Sequence, residues 1–203
     1  MPGILITGYD KVAMTTQPKL YLASTSPRRR EILEALNLEF SVVPVDVDET
    51  PLDSETPVEM VLRLAIAKAE AAETGAADIV LGADTAVVVD GRTLGKPGNE
   101  ADCLAMLAVL SGRVHKVVTG VALRGGERIR TALSETDVYF REISRDEALA
   151  YWQSGEPCDK AGAYAIQGLG GAFIERIEGS YSGVVGLPVF ETVALLKDNG
   201  LHV

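Results

Sequence analysis

Two stretches of this chain read as antiparallel strand pairs, and together they restrict the sheet it can build. In the first, residues 79–81 and 86–89 are apolar and strand-like and run into Asp90-Gly91, a dipeptide suited to the positive φ angles of a two-residue turn. In the second, His115 to Leu123 and Glu127 to Phe140 flank a turn at Gly125-Gly126. Helical patterns surround them. Thr56-Pro57-Val58-Glu59 has the spacing of a capping box and opens a helix running to about Gly75. Asn99 caps a helix with apolar positions Leu104, Leu107 and Leu110 that closes near Gly112. Ser144 to Glu147 forms a second box before a short helix ending near Gly155, and a last helix opens near Leu187-Pro188 and stops at Gly200. Strands alternating with helices define an α/β chain, and the hairpins argue against a purely parallel sheet.

With 203 residues, 47% of them hydrophobic, the chain can bury one sizeable core. A single domain over residues 19–203 is expected, and residues 1–18, which lack periodicity, read as a loose extension. Met14 competes with Met1 as the natural start. A net charge of -10 and a pI near 4.7 argue against nucleic acid as a partner, since polyanions are captured by excess Lys and Arg. A small anion in a local basic pocket is compatible with that charge. Cys103 and Cys158 lie far apart with no second cysteine at ligand spacing, which implies neither a disulfide framework nor a zinc site. Cys103, beside Leu104 and Leu107, reads as a small buried apolar residue. His115 and His202 are the only histidines, so a histidine triad or a histidine-rich metal site is not expected, and His115 reads as an ordinary strand residue. No apolar run reaches the roughly 18–20 residues that span a bilayer, and the N-terminus lacks the order of a signal peptide. The expectation is a cytoplasmic protein with no membrane partner.

Three places carry chemistry. Ser24-Thr25-Ser26-Pro27-Arg28-Arg29-Arg30 lies between a short strand, Leu20 to Ala23, and a helix whose apolar face is Ile32, Leu33 and Leu36. Ser26 suits the N-cap and Pro27 the first helical position, which puts three arginines where the helix dipole disfavours cations. A phosphate would resolve that conflict, because open N–H groups and forked guanidinium groups both suit its oxygens. The competing reading is a solvated turn paired with Glu31 and Glu34.

Lys68 falls on or beside the inward stripe Val58, Val61, Leu62, Ala65, Ala69 and Ala72. Its ammonium therefore either snorkels to the rim or meets a carboxylate or phosphate in a cleft. Asp84 interrupts an apolar strand, where a carboxylate costs free energy unless it binds a cation, a metal or a strong donor. Counting back from the turn pairs Thr85 with Lys96 and brings Lys96 within about one residue of Asp84, so a functional carboxylate and a structural Asp84–Lys96 ion pair both fit. Asp159 to Gly171 is rich in small residues that let backbone approach a ligand, with Gln167 offering both donor and acceptor; an ordinary turn-rich loop fits equally. A Gly-rich strand is expected to follow it.

Four stretches taken together, LYLASTSPRRREIL, GADTAVVVDGRTLGKP, GEPCDKAGAYAIQGLGG and GSYSGVVGLPVFET, resemble the Maf family of nucleoside triphosphate pyrophosphatases, over residues 19–198. DKAGAYAIQG resembles the branch acting on dTTP and UTP rather than the branch acting on 7-methyl-GTP. The resemblance implies a mixed, curved sheet flanked by helices, with two lobes and a central cleft. It implies hydrolysis to the monophosphate and pyrophosphate by water attack at the α-phosphorus, with a divalent metal and no covalent intermediate. Carried over by motif position, Asp84 would accept the proton of water, and Arg28, Thr85 and Gln167 would discriminate the base. Ser24, Arg29, Lys68 and Lys96 would bind the triphosphate, and Glu49 would join Asp84 at the metal. Homodimerisation is a further implication. A set without histidine or cysteine clusters calls for a hard, oxygen-liganded ion, Mg2+ or Mn2+.

Two rivals remain. Phe40 to Val45 followed by Asp46-Val47-Asp48-Glu49-Thr50 resembles the haloacid dehalogenase phosphatase motif, in which Asp46 would form an aspartyl-phosphate, although Pro44 interrupts the presenting strand. The other is a non-catalytic, nucleotide-binding regulator of cell division, a process with which the Maf name is linked. The Walker phosphate-loop pattern is absent.

Overall fold

The computed structural model describes residues 18–201 and 203, so the expected extension at 1–18 lies, Pro18 apart, outside the described residues, as does His202. Among the described residues seven strands form one sheet: β1 (Leu20–Leu22), β2 (Phe40–Val42), β3 (Ile79–Val89), β4 (Arg92–Leu94), β5 (Val114–Gly125), β6 (Arg128–Phe140) and β7 (Ile174–Glu178). Their order is β2-β1-β3-β5-β6-β7, with β4 paired to β3 beside this path. β1 runs parallel to β2 and β3, and every other pairing is antiparallel, so the sheet is mixed. Asp90 and Gly91, at φ 49° and 74°, make the turn expected between β3 and β4.

The two short apolar runs around Asp84 form one continuous strand, yet its outer edge is broken where the sequence is. β5 covers one edge of β3 from Ile79 to Val88. β1 and β4 must therefore share the other edge, β1 pairing with residues 79–81 and β4 with residues 87–89. Residues 82–86 face a gap between them, and Asp84 and Thr85 sit at its centre.

Among the described residues six α-helices flank the sheet: α1 (Pro27–Ala35), α2 (Pro57–Ala71), α3 (Glu100–Leu110), α4 (Arg145–Gln153), α5 (Tyr181–Val185) and α6 (Val189–Asp198). The capping boxes of α2 and α4 are both present, and Asn99 caps α3. Ser26 is the N-cap of α1, but its side chain makes no capping bond. Helix α5 was not foreseen, and β7 reads Ile-Glu-Arg-Ile-Glu, so the Gly-rich strand is corrected: the glycines lie in the 3-10 turns before it. Helix α2 lies against β3 and β5 at close range because Gly82 and Gly120 leave room. A Cβ on Gly82 would stand 2.2 Å from the Ala65 carbonyl oxygen, and one on Gly120 would stand 2.7 Å from that of Val61.

Two lobes share the long strands. One packs Leu22, Leu33, Leu81, Leu123 and Leu196 from β1, α1, β3, β5 and α6. The other packs Val87, Cys103, Leu107, Phe140 and Phe173 from β3, α3, β6 and the segment before β7. Cys103 is buried in this second core as expected, and Cys158 is exposed. Among the described residues no helix is long and apolar enough to cross a membrane.

Candidate active site

A cleft of about 620 Å³ opens between the lobes over the gap in β3. All nine residues singled out in the sequence line it: Ser24, Arg28 and Arg29 before and within α1, Glu49 after β2, Lys68 on α2, Asp84 and Thr85 on β3, Lys96 after β4, and Gln167 in the small-residue segment. Five basic and three acidic side chains meet here, on a chain whose net charge is -10. Such a local excess favours an anionic ligand.

Asp84 points toward α2, and the Lys68 ammonium lies 2.7 Å from its carboxylate and 2.6 Å from that of Glu49. Lys68 is buried and does not snorkel; the close seat of α2 on Gly82 and Gly120 carries it to Asp84. The carboxylates are set apart by their surroundings. Burial pushes the Asp84 carboxyl above the usual range, and the charges of Lys68 and Arg29 offset this only in part. Burial also raises Glu49, but the hydrogen bond and charge of Lys68, with Lys96 and Arg29 beyond, outweigh it and hold that carboxyl below its ordinary value. Asp84 therefore has the stronger affinity for a proton, while Glu49 stays ionised.

The Asp84–Lys96 ion pair is corrected, since the buried partner is Lys68. β4 leaves the ladder at Leu94, and the next carbonyl, that of Gly95, accepts from the Gly162 N–H, which draws Lys96 out of register with Thr85. Lys96 is exposed in the cleft, and its charge acts on Glu49.

The three arginines divide. Arg30 is exposed and 3.7 Å from Glu34, so the solvated reading holds for it. Arg28 is half-buried, 3.5 Å from Asp159. Arg29 is buried and donates to the Gly186 carbonyl (2.8 Å), the Ser24 hydroxyl (3.2 Å) and the Thr85 hydroxyl (3.3 Å). Burial lowers its pKa, with Asp84 opposing.

Sequence reasoning missed the residues that hold this arrangement. Glu156 accepts from the Tyr151 hydroxyl (2.7 Å) and the N–H groups of Leu169 and Gly170 (2.8 and 3.0 Å), which pins the segment on which Gln167 stands exposed. Asp159, within the third motif, bridges Arg28 and Lys160. His115 is buried with Nε2 2.8 Å from the Tyr164 hydroxyl, and burial pushes its pKa down to about 4, so it is a neutral core residue. The dehalogenase-like reading of Asp46 is corrected. β2 ends at Val42, and Asp46 is exposed outside the cleft lining, so no strand presents it as a nucleophile.

The description "Maf-like protein" matches residues 19–199. Curated proteins named dTTP/UTP pyrophosphatase are similar along most of their length. That of Hahella chejuensis is 51% identical over 189 residues, covering 91% of this chain and 94% of that protein. Those of Methylobacillus flagellatus and Vibrio vulnificus are each 50% identical, covering 91% and 89% of this chain and 94% and 98% of the relatives. Among solved structures, a HAM1 protein from Coxiella burnetii overlaps 61% of this chain and 73% of its own, at 22% identity and a TM-score of 0.44. The chain belongs to the Maf family.

Proposed function

We propose that the protein hydrolyses dTTP and UTP to the nucleoside monophosphate and pyrophosphate. The observation that carries this reading is Asp84: a buried carboxylate with raised proton affinity, where the outer edge of β3 lies open between β1 and β4, facing a cleft rich in cations. A base is most effective when its pKa is lifted toward the working pH, and Asp84 suits the removal of a proton from water. The water oxygen attacks the α-phosphorus, its proton passes to Asp84, and the bond from the α-phosphorus to the bridging oxygen breaks with its electrons on pyrophosphate. Transfers of this kind depend chiefly on positioning and on neutralising charge over the phosphates, which are the parts of Arg29, Lys68, Lys96 and Ser24. Arg28, Thr85 and Gln167 meet the base. The relatives' names and the third motif support the pyrimidine substrates.

Two carboxylate oxygens, from Asp84 and Glu49, converge on one cationic centre, now the Lys68 ammonium. No group of three or more His, Cys, Asp or Glu joins among the described residues, so a protein-only cage is not formed. Two oxygen donors fit Mg2+ or Mn2+ shared with substrate phosphates and water, and Asp84 and Glu49 would hold the ion. When bound, it adds positive charge against the triphosphate and acidifies water. The same proposal includes a single catalytic domain at 19–203 with an extension at 1–18, free nucleotides rather than nucleic acid as ligands, a homodimer, and action in the cytoplasm.

Incubation with dTTP, UTP, CTP and 7-methyl-GTP in 18O-water with Mg2+ or Mn2+, resolving pyrophosphate from orthophosphate, tests the reading. Expected are pyrophosphate from dTTP and UTP and the heavy oxygen in the monophosphate. Orthophosphate as sole product, or tight binding without product, would overturn it.

A further inference from the structure

The hydroxyls at the two ends of the Arg29 guanidinium have opposite polarity. A hydroxyl owns one proton and two acceptor sites. Ser24 Oγ accepts from the Ser26 N–H and from Arg29, both at 3.2 Å, so its acceptor sites are filled and its proton is free. That suits a phosphate oxygen, which only accepts. Thr85 is the reverse. Its Oγ1 accepts from Arg29 and lies 3.0 Å from Oγ1 of Thr119, the residue opposite it on β5. Thr119, wholly buried, lies 2.8 Å from the Gly183 carbonyl oxygen, which cannot donate, so the Thr119 proton is committed there. By elimination Thr85 is the donor in the threonine pair. Its proton points away from the cleft, and only an acceptor site is left for a ligand.

We propose that Thr119 is a positioning residue for specificity: by taking the Thr85 proton, it makes that end of the cleft demand a hydrogen-bond donor on the substrate. A ring N3–H, carried by uracil and thymine and lacking in cytosine, is such a donor. The network is closed, since α5 supplies the Gly183 carbonyl and the Gly186 carbonyl just beyond it holds Arg29 Nε. Thr119 cannot turn its proton elsewhere without orphaning the Gly183 oxygen, which is costly in a buried site. This inference rests on the reading that Thr85 meets the base.

The test measures kcat/KM for UTP and CTP on the same samples of wild type, Thr119→Val, Thr119→Ser and Thr85→Val. The ratio between substrates cancels any loss of folded enzyme. Thr119→Val frees the Thr85 proton to meet the cytosine N3 lone pair, and the preference for UTP should fall at least about tenfold, whereas Thr119→Ser restores it. Should the valine variant fail to fold, Thr119→Cys, with only a weak S–H donor, should move the ratio in the same direction. A ratio lowered by Thr85→Val but unchanged by Thr119→Val would overturn the inference and leave Thr85 as the reader of the base. A ratio unmoved by both would overturn the assignment of Thr85 itself.

Discussion

The two faces of β3 at the gap solve different problems with neighbouring residues. On the face toward α2, Asp84 stands between Gly82 and Ala86, and ions hold the site: two carboxylates share one ammonium. On the other face, Thr85 stands between Ala83 and Val87, one in each lobe's core, and a guanidinium and two hydroxyls hold the site by directed hydrogen bonds. Alternation along a strand makes this division available at a cost of one residue's spacing. The charged face is suited to moving a proton and the hydroxyl face to reading a ligand.

The largest expected effect breaks the charged face. Asp84→Asn keeps the shape and removes the proposed base, so kcat should fall roughly a hundred- to ten-thousand-fold while circular dichroism stays that of the wild type. Lys68→Met leaves the carboxylates without their shared cation, and turnover should drop about ten- to a hundredfold through misplacement. It also carries a sign. In the wild type, kcat/KM should decline as pH falls through the raised Asp84 pKa; removing Lys68, whose charge lowers that pKa, should move the acid limb to higher pH. A pH–rate profile of both proteins measures this.

His115, on the same face as Thr85, sharpens the contrast because it is buried without an ionic partner. Its folded pKa of about 4 lies below the unfolded 6.5, so the unfolded chain binds the extra proton. Stability is therefore complete above about pH 6.5 and is lost as pH falls toward 4, by about 3 kcal/mol from this group. Urea unfolding from pH 7 to 4 should show a shallower fall for His115→Gln.

Smaller effects concern the scaffold. Gly82→Ala forces α2 off the sheet and should cost about 1–3 kcal/mol, with activity falling as Lys68 withdraws from Asp84. Ser144→Ala, which opens the α4 capping box far from the cleft, should cost about 1 kcal/mol and leave kcat/KM unchanged. Equal activity losses in these two variants would show that Gly82 acts only through stability.

Much of this was legible because its causes are local. Thr56, Asn99 and Ser144 cap helices through residues three positions on, and Asp90-Gly91 turns a hairpin by its own backbone preference. Lys68 on an apolar stripe and Asp84 in an apolar strand were conspicuous because burying charge is costly: that cost called for a cation, metal or strong donor at Asp84 and left Lys68 either snorkelling or partnered. The sequence could not say that each was the other's partner. Extending the hairpin register chose Lys96 instead, and the chain leaves that register where Gly95 bonds to Gly162.

The sequence by itself determined most of the elements, though not α5 or the make-up of β7, together with the antiparallel hairpins of the sheet and the inventory of charged residues that called for an explanation, since these follow from periodicity, turn chemistry and desolvation within short windows. Only the tertiary structure decided the pairing of Lys68 with Asp84 and Glu49, the break in the outer edge of β3, and the direction of the Thr85 proton. Each of these depends on which distant segments approach: α2 on two glycines, β1 and β4 along one edge, α5 beneath Thr119. A threonine in a strand looks like any other until the carbonyl that takes its proton is in place.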